Sequence, residues 1–466
     1  MGTSSRIGLR RLLLVALLAA ANLSLWLIPG PVVEYIARDR PTLLGRYSVE
    51  RLTGIIALAI FTLIALYIAF GARERRRGRI ARVLISLVVS LAMIGAGEWA
   101  LRRHPPTPRY LIEPAYRVRA PHYRAAFPFR DQPEADRSYP RRPPGFPTEE
   151  IVLEMDARGF RNPDGIERAE IVAIGDSFVE APHVTSEELW TTRLGKKLGV
   201  TVYNMGTSGE NPGGYFHKLE HFAPELAPQT IVVMLYEGND FRGYKRNEKP
   251  EGIRGSLLRP RSREVLVDLF GPLRADAVVP DAERVDWLPV GVPSDAGTTW
   301  YAFSPRKVGE LFRTEEEIHA QRGWNQVRDG IERAARFCRE QGIDLVIAYA
   351  PVKPHVILPL VRQQLDPDVL LAFTKIQRKS LPEAKRELTD GPAFLEALMA
   401  NLDTEERATR EVCEAAGVGF VSLTAPLREA IAEGRQAYFT YDQHWTSVGH
   451  QVVGEELWKF FQSRRP

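Results

Sequence analysis

Two kinds of apolar patterning divide this chain. In the first hundred residues the apolar positions form long uncharged runs, at 12–28, 52–70 and 83–97. Beyond residue 150 the apolar runs are short, rich in β-branched residues, and alternate with amphipathic helical patterns. The short runs predict strands at 170–174, 200–204, 230–236, 344–350 and 419–423. Between them the spacing predicts helices near 186–198, 214–222, 324–341 and 405–416, with a last one after Ser447.

The long runs read as membrane spans. The first two are long enough to cross a bilayer, and the third crosses if its flanks, from Arg82 to Glu98, are counted in. The stretch from Arg73 to Arg79 is the densest basic segment and reads as a cytoplasmic loop. With three transmembrane helices in residues 1–103, everything after about Arg103 then lies outside the cytoplasm. The first run is alternatively a cleaved signal peptide, with small residues at Ala19–Ala21; the downstream location is the same either way. Residues 104–147 are rich in Pro and Arg and read as a semi-rigid tether.

Continuously apolar strands alternating with helices indicate a parallel sheet covered on both faces. The expected architecture is α/β, a flavodoxin-like three-layer α/β/α sandwich over residues 148–466, preceded by the N-terminal transmembrane helices. Ligands in such sheets bind outside the C-terminal ends of the strands. Two segments break the alternation. Residues 241–314 hold scattered Pro, Gly and Trp and read as an insertion capping the site or as a surface excursion. Residues 355–402 look helical without belonging to the repeating pattern.

A length of 466 residues implies two or three units, and 44% hydrophobic with 26% charged residues excludes a largely disordered chain. The net charge of +4 is small, with much of the positive excess in the membrane region, so nucleic acid is not an expected partner. The two cysteines, Cys338 and Cys413, permit one disulfide at most; two buried free thiols are the plainer reading.

The chemistry sits in four blocks: Gly175-Asp176-Ser177-Phe178, Asn204-Met205-Gly206-Thr207-Ser208-Gly209, Gly238-Asn239-Asp240 and Asp442-Gln443-His444-Trp445. Each of the first three follows a predicted strand, so one sheet edge collects them. Ser177, at a strand-to-helix turn, is a candidate nucleophile, which needs a base within hydrogen-bond reach. His444 is the candidate base, and Asp442 the carboxylate that orients it. The Ser177 backbone N–H and the Asn239 side chain are donors for a developing oxyanion, against the ordinary use of Gly and Asn in turns. Asp176 is expected to brace the turn.

These blocks, in this order, resemble the SGNH (GDSL-type) hydrolase superfamily over roughly residues 150–466. The family's Asn-x-Gly-x-x-Gly spacing favours Gly209 over Gly206 as the third oxyanion donor. One residue, not the commoner three, separates Asp442 from His444; this version is similar to the extracytoplasmic relatives associated with alginate and polysaccharide O-acetylation. His450 is a rival imidazole with a packing role as its plainer reading, and Trp445 is either core or a wall for a sugar ring. His217-Lys218-Leu219-Glu220-His221 matches an inverted zinc-peptidase pattern, but no third ligand is marked and a solvated helix face is the default. Lys353 follows a strand, as a contact for an anionic glycan or an ordinary exposed lysine.

The resemblance implies a membrane-anchored serine esterase that cleaves O-acyl, above all O-acetyl, esters on an extracytoplasmic carbohydrate or glycolipid, with no metal or organic cofactor. The same triad would also serve an O-acetyltransferase for a cell-surface polysaccharide, fed by a membrane acyltransferase partner. A glycan-binding domain without activity is a third reading.

Overall fold

The computed structural model describes residues 2–27, 49–70, 75–103, 110–112, 115–131, 143, 145–147, 149–243, 287–375 and 388–464. The chain divides into two units: one holds the N-terminal helices, and the other all described residues from 110 onward.

The N-terminal unit contains helices Gly2–Leu27, Val49–Phe70 and Arg76–Arg103. Among the described residues, only the third, over Arg76–Ala100, is long and apolar enough to cross a membrane; the described apolar parts of the others, Leu13–Ser24 and Gly54–Phe70, are shorter. The described residues thus show one candidate span where the sequence suggested three, and it is the run that looked weakest. Arg76 to Arg79, read from the sequence as the end of a loop, form the first turn of this helix. Its 25 residues extend about 37 Å, enough for a hydrocarbon core of about 30 Å.

Among the described residues, the second unit contains eleven strands. They are β1 (Tyr110–Ile112), β2 (Arg117–Arg119), β3 (Arg124–Phe129), β4 (Glu149–Glu154), β5 (Ile171–Gly175), β6 (Val202–Gly206), β7 (Thr230–Tyr236), β8 (Leu288–Ser294), β9 (Gly297–Phe303), β10 (Asp344–Ala350) and β11 (Gly419–Ser422). Five of them form a parallel sheet in the order β6-β5-β7-β10-β11. Counted along the sheet this is 2-1-3-4-5, the flavodoxin-like order with its switch point between β5 and β7. All five were legible as apolar runs, because a strand covered on both faces has no polar face to conserve.

Alternate residues of each strand supply two cores. Val172, Ile174, Ile231, Val233 and Ile347 face helices Pro212–His221 and Arg322–Gln341. Ile171, Ala173, Val232, Met234 and Ala348 face the side that holds Trp190, Trp445 and Val453. Cys338 and Cys413 are buried free thiols in the first of these cores.

Two expectations change. Much of the segment read as a tether is folded: β1 pairs with β2 and β3 with β4, and both Arg119 and Asp131 are buried. Its Pro and Arg content concealed short two-stranded pairings that depend on residues far along the chain. Of the insertion, residues 244–286 lie outside the described residues. Residues 287–303 form the β8-β9 hairpin, whose Val290, Val292, Tyr301 and Phe303 enter the core beside Trp445. This hairpin supports the fold from within rather than standing over the site as a separate cap.

Candidate active site

Ser177, Gly209 and Asn239 all follow neighbouring strands, β5, β6 and β7, at their C-terminal ends. Ser177 opens a short helix, Ser177–Glu180, whose N-cap is Asp176. Asp176 Oδ1 accepts from Phe178 N at 2.9 Å and Oδ2 accepts from Asn239 Nδ2 at 3.2 Å, so this buried carboxylate ties the first block to the third. Burial raises its pKa above the ordinary value, against the pull of these hydrogen bonds and of His444. The close fit requires glycine at 206, where a Cβ would lie 2.2 Å from Glu180 N.

His444 arrives from the other end of the chain on a bracketed loop. Tyr438 and Trp445 form an antiparallel bridge, Phe439 N donates to His444 O at 3.1 Å, and Thr446 N donates to Ala437 O at 3.0 Å. Within it, Asp442 Oδ1 accepts from both His444 N at 2.8 Å and His444 Nδ1 at 2.5 Å. One intervening residue suffices because the carboxylate folds back over its own turn. His444 Nε2 lies 2.6 Å from Ser177 Oγ. The structure thus brings Ser177, His444 and Asp442 together, 267 residues apart in sequence between the first two. Burial pushes the Asp442 carboxyl up, but the charge of His444 and the hydrogen bonds from its ring and backbone N–H outweigh it and hold it well below the usual carboxylate range.

The second block is held by buried charge. Glu180, fully buried, pairs with Arg119 through Nε at 2.9 Å and Nη2 at 2.5 Å and accepts from Ser208 N. Lys218 Nζ donates to Thr207 Oγ1 at 2.8 Å, and Arg117 Nη1 donates to Gly209 O at 3.2 Å. Gly209 has φ +70, the left-handed region that glycine occupies without penalty. The third block is pinned by Lys307, whose Nζ donates to Gly238 O at 2.6 Å; burial lowers its pKa to about 7.

Several residues escaped the sequence reading. His183 stacks on His444 with ring centroids 4.1 Å apart. Burial, then the charge of His444, lowers its pKa to about 3, so it faces the site as a neutral imidazole. Arg161 fixes this turn, donating to the carbonyls of Glu180, Ala181 and Val184. Nothing in the local sequence marks either residue. Among the described residues, His183, Asp442 and His444 bring three metal-capable atoms within 4.8 Å of one another, but both ring nitrogens of His444 are already engaged.

Other candidates fall elsewhere. Trp445 is fully buried against Phe178, which places it in the core and not against a sugar. His450 packs edge-on against Trp445 inside helix Ser447–Ser463. His217 stacks on Tyr116, and its neighbour Lys218 points into the core. Lys353 is also fully buried, so it is neither an exposed lysine nor a contact for a glycan.

No family model matches the chain, and no curated protein matches it. Solved structures to which it is similar include a GDSL-like lipase from Bacteroides thetaiotaomicron, at 12% identity and a TM-score of 0.28 over 64% of this chain and 89% of the other. Others are a lipase/acylhydrolase from Enterococcus faecalis, at 12%, 0.29, 63% and 95%, and a catalytic mutant of an acetylxylan esterase from Geobacillus stearothermophilus, at 11%, 0.29, 62% and 93%. Likenesses with TM-scores of this size carry no weight for fold or function; the fold rests on the strand order and the site on its distances.

Proposed function

We propose that this chain is a serine esterase of the SGNH (GDSL) type, acting on O-acyl, chiefly O-acetyl, esters of an extracytoplasmic carbohydrate or glycolipid. The observation that carries the reading is the continuous path Ser177 Oγ, His444 Nε2, His444 Nδ1, Asp442 Oδ1, with contacts of 2.6 and 2.5 Å. Ser177 Oγ attacks the ester carbonyl while His444 Nε2 takes its proton, and the half-buried Asp442 stabilises the imidazolium. The Ser177 and Gly209 backbone N–H groups and the Asn239 amide receive the oxyanion. Collapse of the tetrahedral adduct breaks the ester C–O bond. His444 returns the proton to the departing sugar oxygen, leaving an acyl-serine that water resolves by the reverse sequence.

Helix Arg76–Arg103 supports a membrane anchor. Its N-terminal end carries Arg76, Arg77 and Arg79, the denser basic end, so the positive-inside rule puts the second unit outside the cytoplasm. Transfer to a sugar hydroxyl instead of water uses the same residues and differs only in the acceptor. The test is full-length protein in detergent with an acetylated oligosaccharide, alone and with an unacetylated acceptor. Ser177-dependent release of free acetate in both supports the esterase. Acetylated acceptor as the main product replaces it with the transferase, and absence of acetyl loss from any substrate rejects both.

A further inference from the structure

The loop that delivers Asp442 and His444 is gripped by two buried residues that the proposed chemistry does not use. Asp131 is 2% exposed, yet its carboxylate accepts four backbone N–H groups. Oδ1 takes Tyr441 N and Asp442 N, each at 2.9 Å, and Oδ2 takes Thr440 N at 2.6 Å and Phe146 N at 2.8 Å. Three consecutive N–H groups converging on one carboxylate form an anion nest built from the chain itself. On the other side of the same peptide, Lys353 Nζ donates to Thr440 O at 2.8 Å and to Ala302 O at 3.4 Å. Ala302 N, on the β8-β9 hairpin, also donates to Thr440 O at 2.8 Å.

The polarities match the ends of the peptide they hold: an anion meets the N–H groups and a cation meets the carbonyl. We propose that Asp131 and Lys353 are positioning residues that clamp residues 440–442 and thereby hold His444 against Ser177. The loop needs such a clamp because only Gln443 separates Asp442 from His444. A turn that tight keeps the carboxylate under its own imidazole only while the preceding backbone stays fixed. Burial lowers the Lys353 pKa to about 7, against the charges of Asp131 and Asp442, which favour its ammonium form. The clamp joins three parts of the chain that are remote in sequence: the segment before β4, the turn after β10, and the loop before the last helix.

The clamp is independent of whether the site hydrolyses esters, although one half of its test rests on that reading. Full-length Asp131→Asn and Lys353→Met proteins are compared with wild type. Asp131→Asn keeps the shape but replaces one acceptor by a donor facing a backbone N–H; Lys353→Met removes only the charge and its bonds. In both, kcat on p-nitrophenyl acetate falls about a hundredfold with KM within about threefold, as expected for a misplaced base. The activity-independent readout is carbethoxylation of histidines by diethyl pyrocarbonate, mapped by mass spectrometry. His444 reactivity rises about tenfold or more in both variants as the loop opens locally, while the buried His355 and His450 stay protected. Unchanged His444 reactivity overturns the clamp. Equal exposure of His355 and His450 overturns it too, because the pair would then hold the whole fold. If wild type shows no turnover, the esterase reading fails alone and the footprint still decides the clamp.

Discussion

Replacing Asn239 by Ala isolates one oxyanion donor. The backbone around it is held without its side chain: Lys307 Nζ binds Gly238 O at 2.6 Å, and Asn239 N donates to Tyr236 O at 3.3 Å. Of the two amide protons on Nδ2, one goes to Asp176 at 3.2 Å, leaving the other for substrate. Losing that donor raises the barrier by about 3 kcal/mol, which is about 10²-fold in kcat. Binding of the uncharged ester is little affected, so KM should stay within about threefold. Asp176 also loses one of its two hydrogen bonds in a buried setting, costing about 1–3 kcal/mol of stability. The assay is steady-state hydrolysis of p-nitrophenyl acetate with urea denaturation on the same preparations. A kcat within about threefold of wild type in a fully folded variant would refute the assignment of Asn239 to the oxyanion.

Three further outcomes follow from the same structure. His355 lies between Glu237, at 3.0 Å, and Asp403, at 2.8 Å; burial opposes its charge, but the carboxylates prevail and raise its pKa to about 10. A raised folded pKa gives stability that is full below about pH 6.5 and is lost as pH climbs towards 10; urea titrations should show this slope in wild type and its loss in His355→Gln. Burial pushes both Cys338 and Cys413 up to about 12, so neither thiol should react with Ellman's reagent at pH 8 until the protein is unfolded, and reaction of native protein would contradict their placement. Gly206→Ala forces a Cβ to 2.2 Å from Glu180 N and 2.7 Å from Val179 C, backbone atoms that cannot swing away, so soluble yield or denaturation midpoint should drop sharply; a wild-type midpoint would show that the two strand ends are not in such close contact.

The sheet was readable because β5, β6, β7, β10 and β11 are local apolar runs whose burial on both faces leaves a simple pattern. The four blocks were readable because each follows a strand or a turn that announces itself through Gly, Asn and Asp. Asp131, Arg117 and Arg119 were not, since their partners stand far off along the chain and an Asp or Arg in a Pro-rich stretch looks like spacer. Lys353 and Lys218 misled for a related reason: a lysine is normally exposed, and burial is made tolerable by partners away in the chain, Thr440 O and Ala302 O for Lys353 and Thr207 Oγ1 and the Glu210 carboxylate for Lys218. His183 lies six residues after Ser177, yet only the fold shows that its ring covers His444. In the membrane region the basic segment was read as loop to its end, whereas the helix already begins at Arg76.

The most direct measurement is covalent capture of the nucleophile. Full-length protein treated with a fluorophosphonate should carry one phosphonyl group on the peptide containing Ser177. Labelling should disappear in Ser177→Ala and slow by orders of magnitude in His444→Ala. Absence of any adduct on well-folded wild-type protein, or an adduct that persists in Ser177→Ala, would contradict the proposed site.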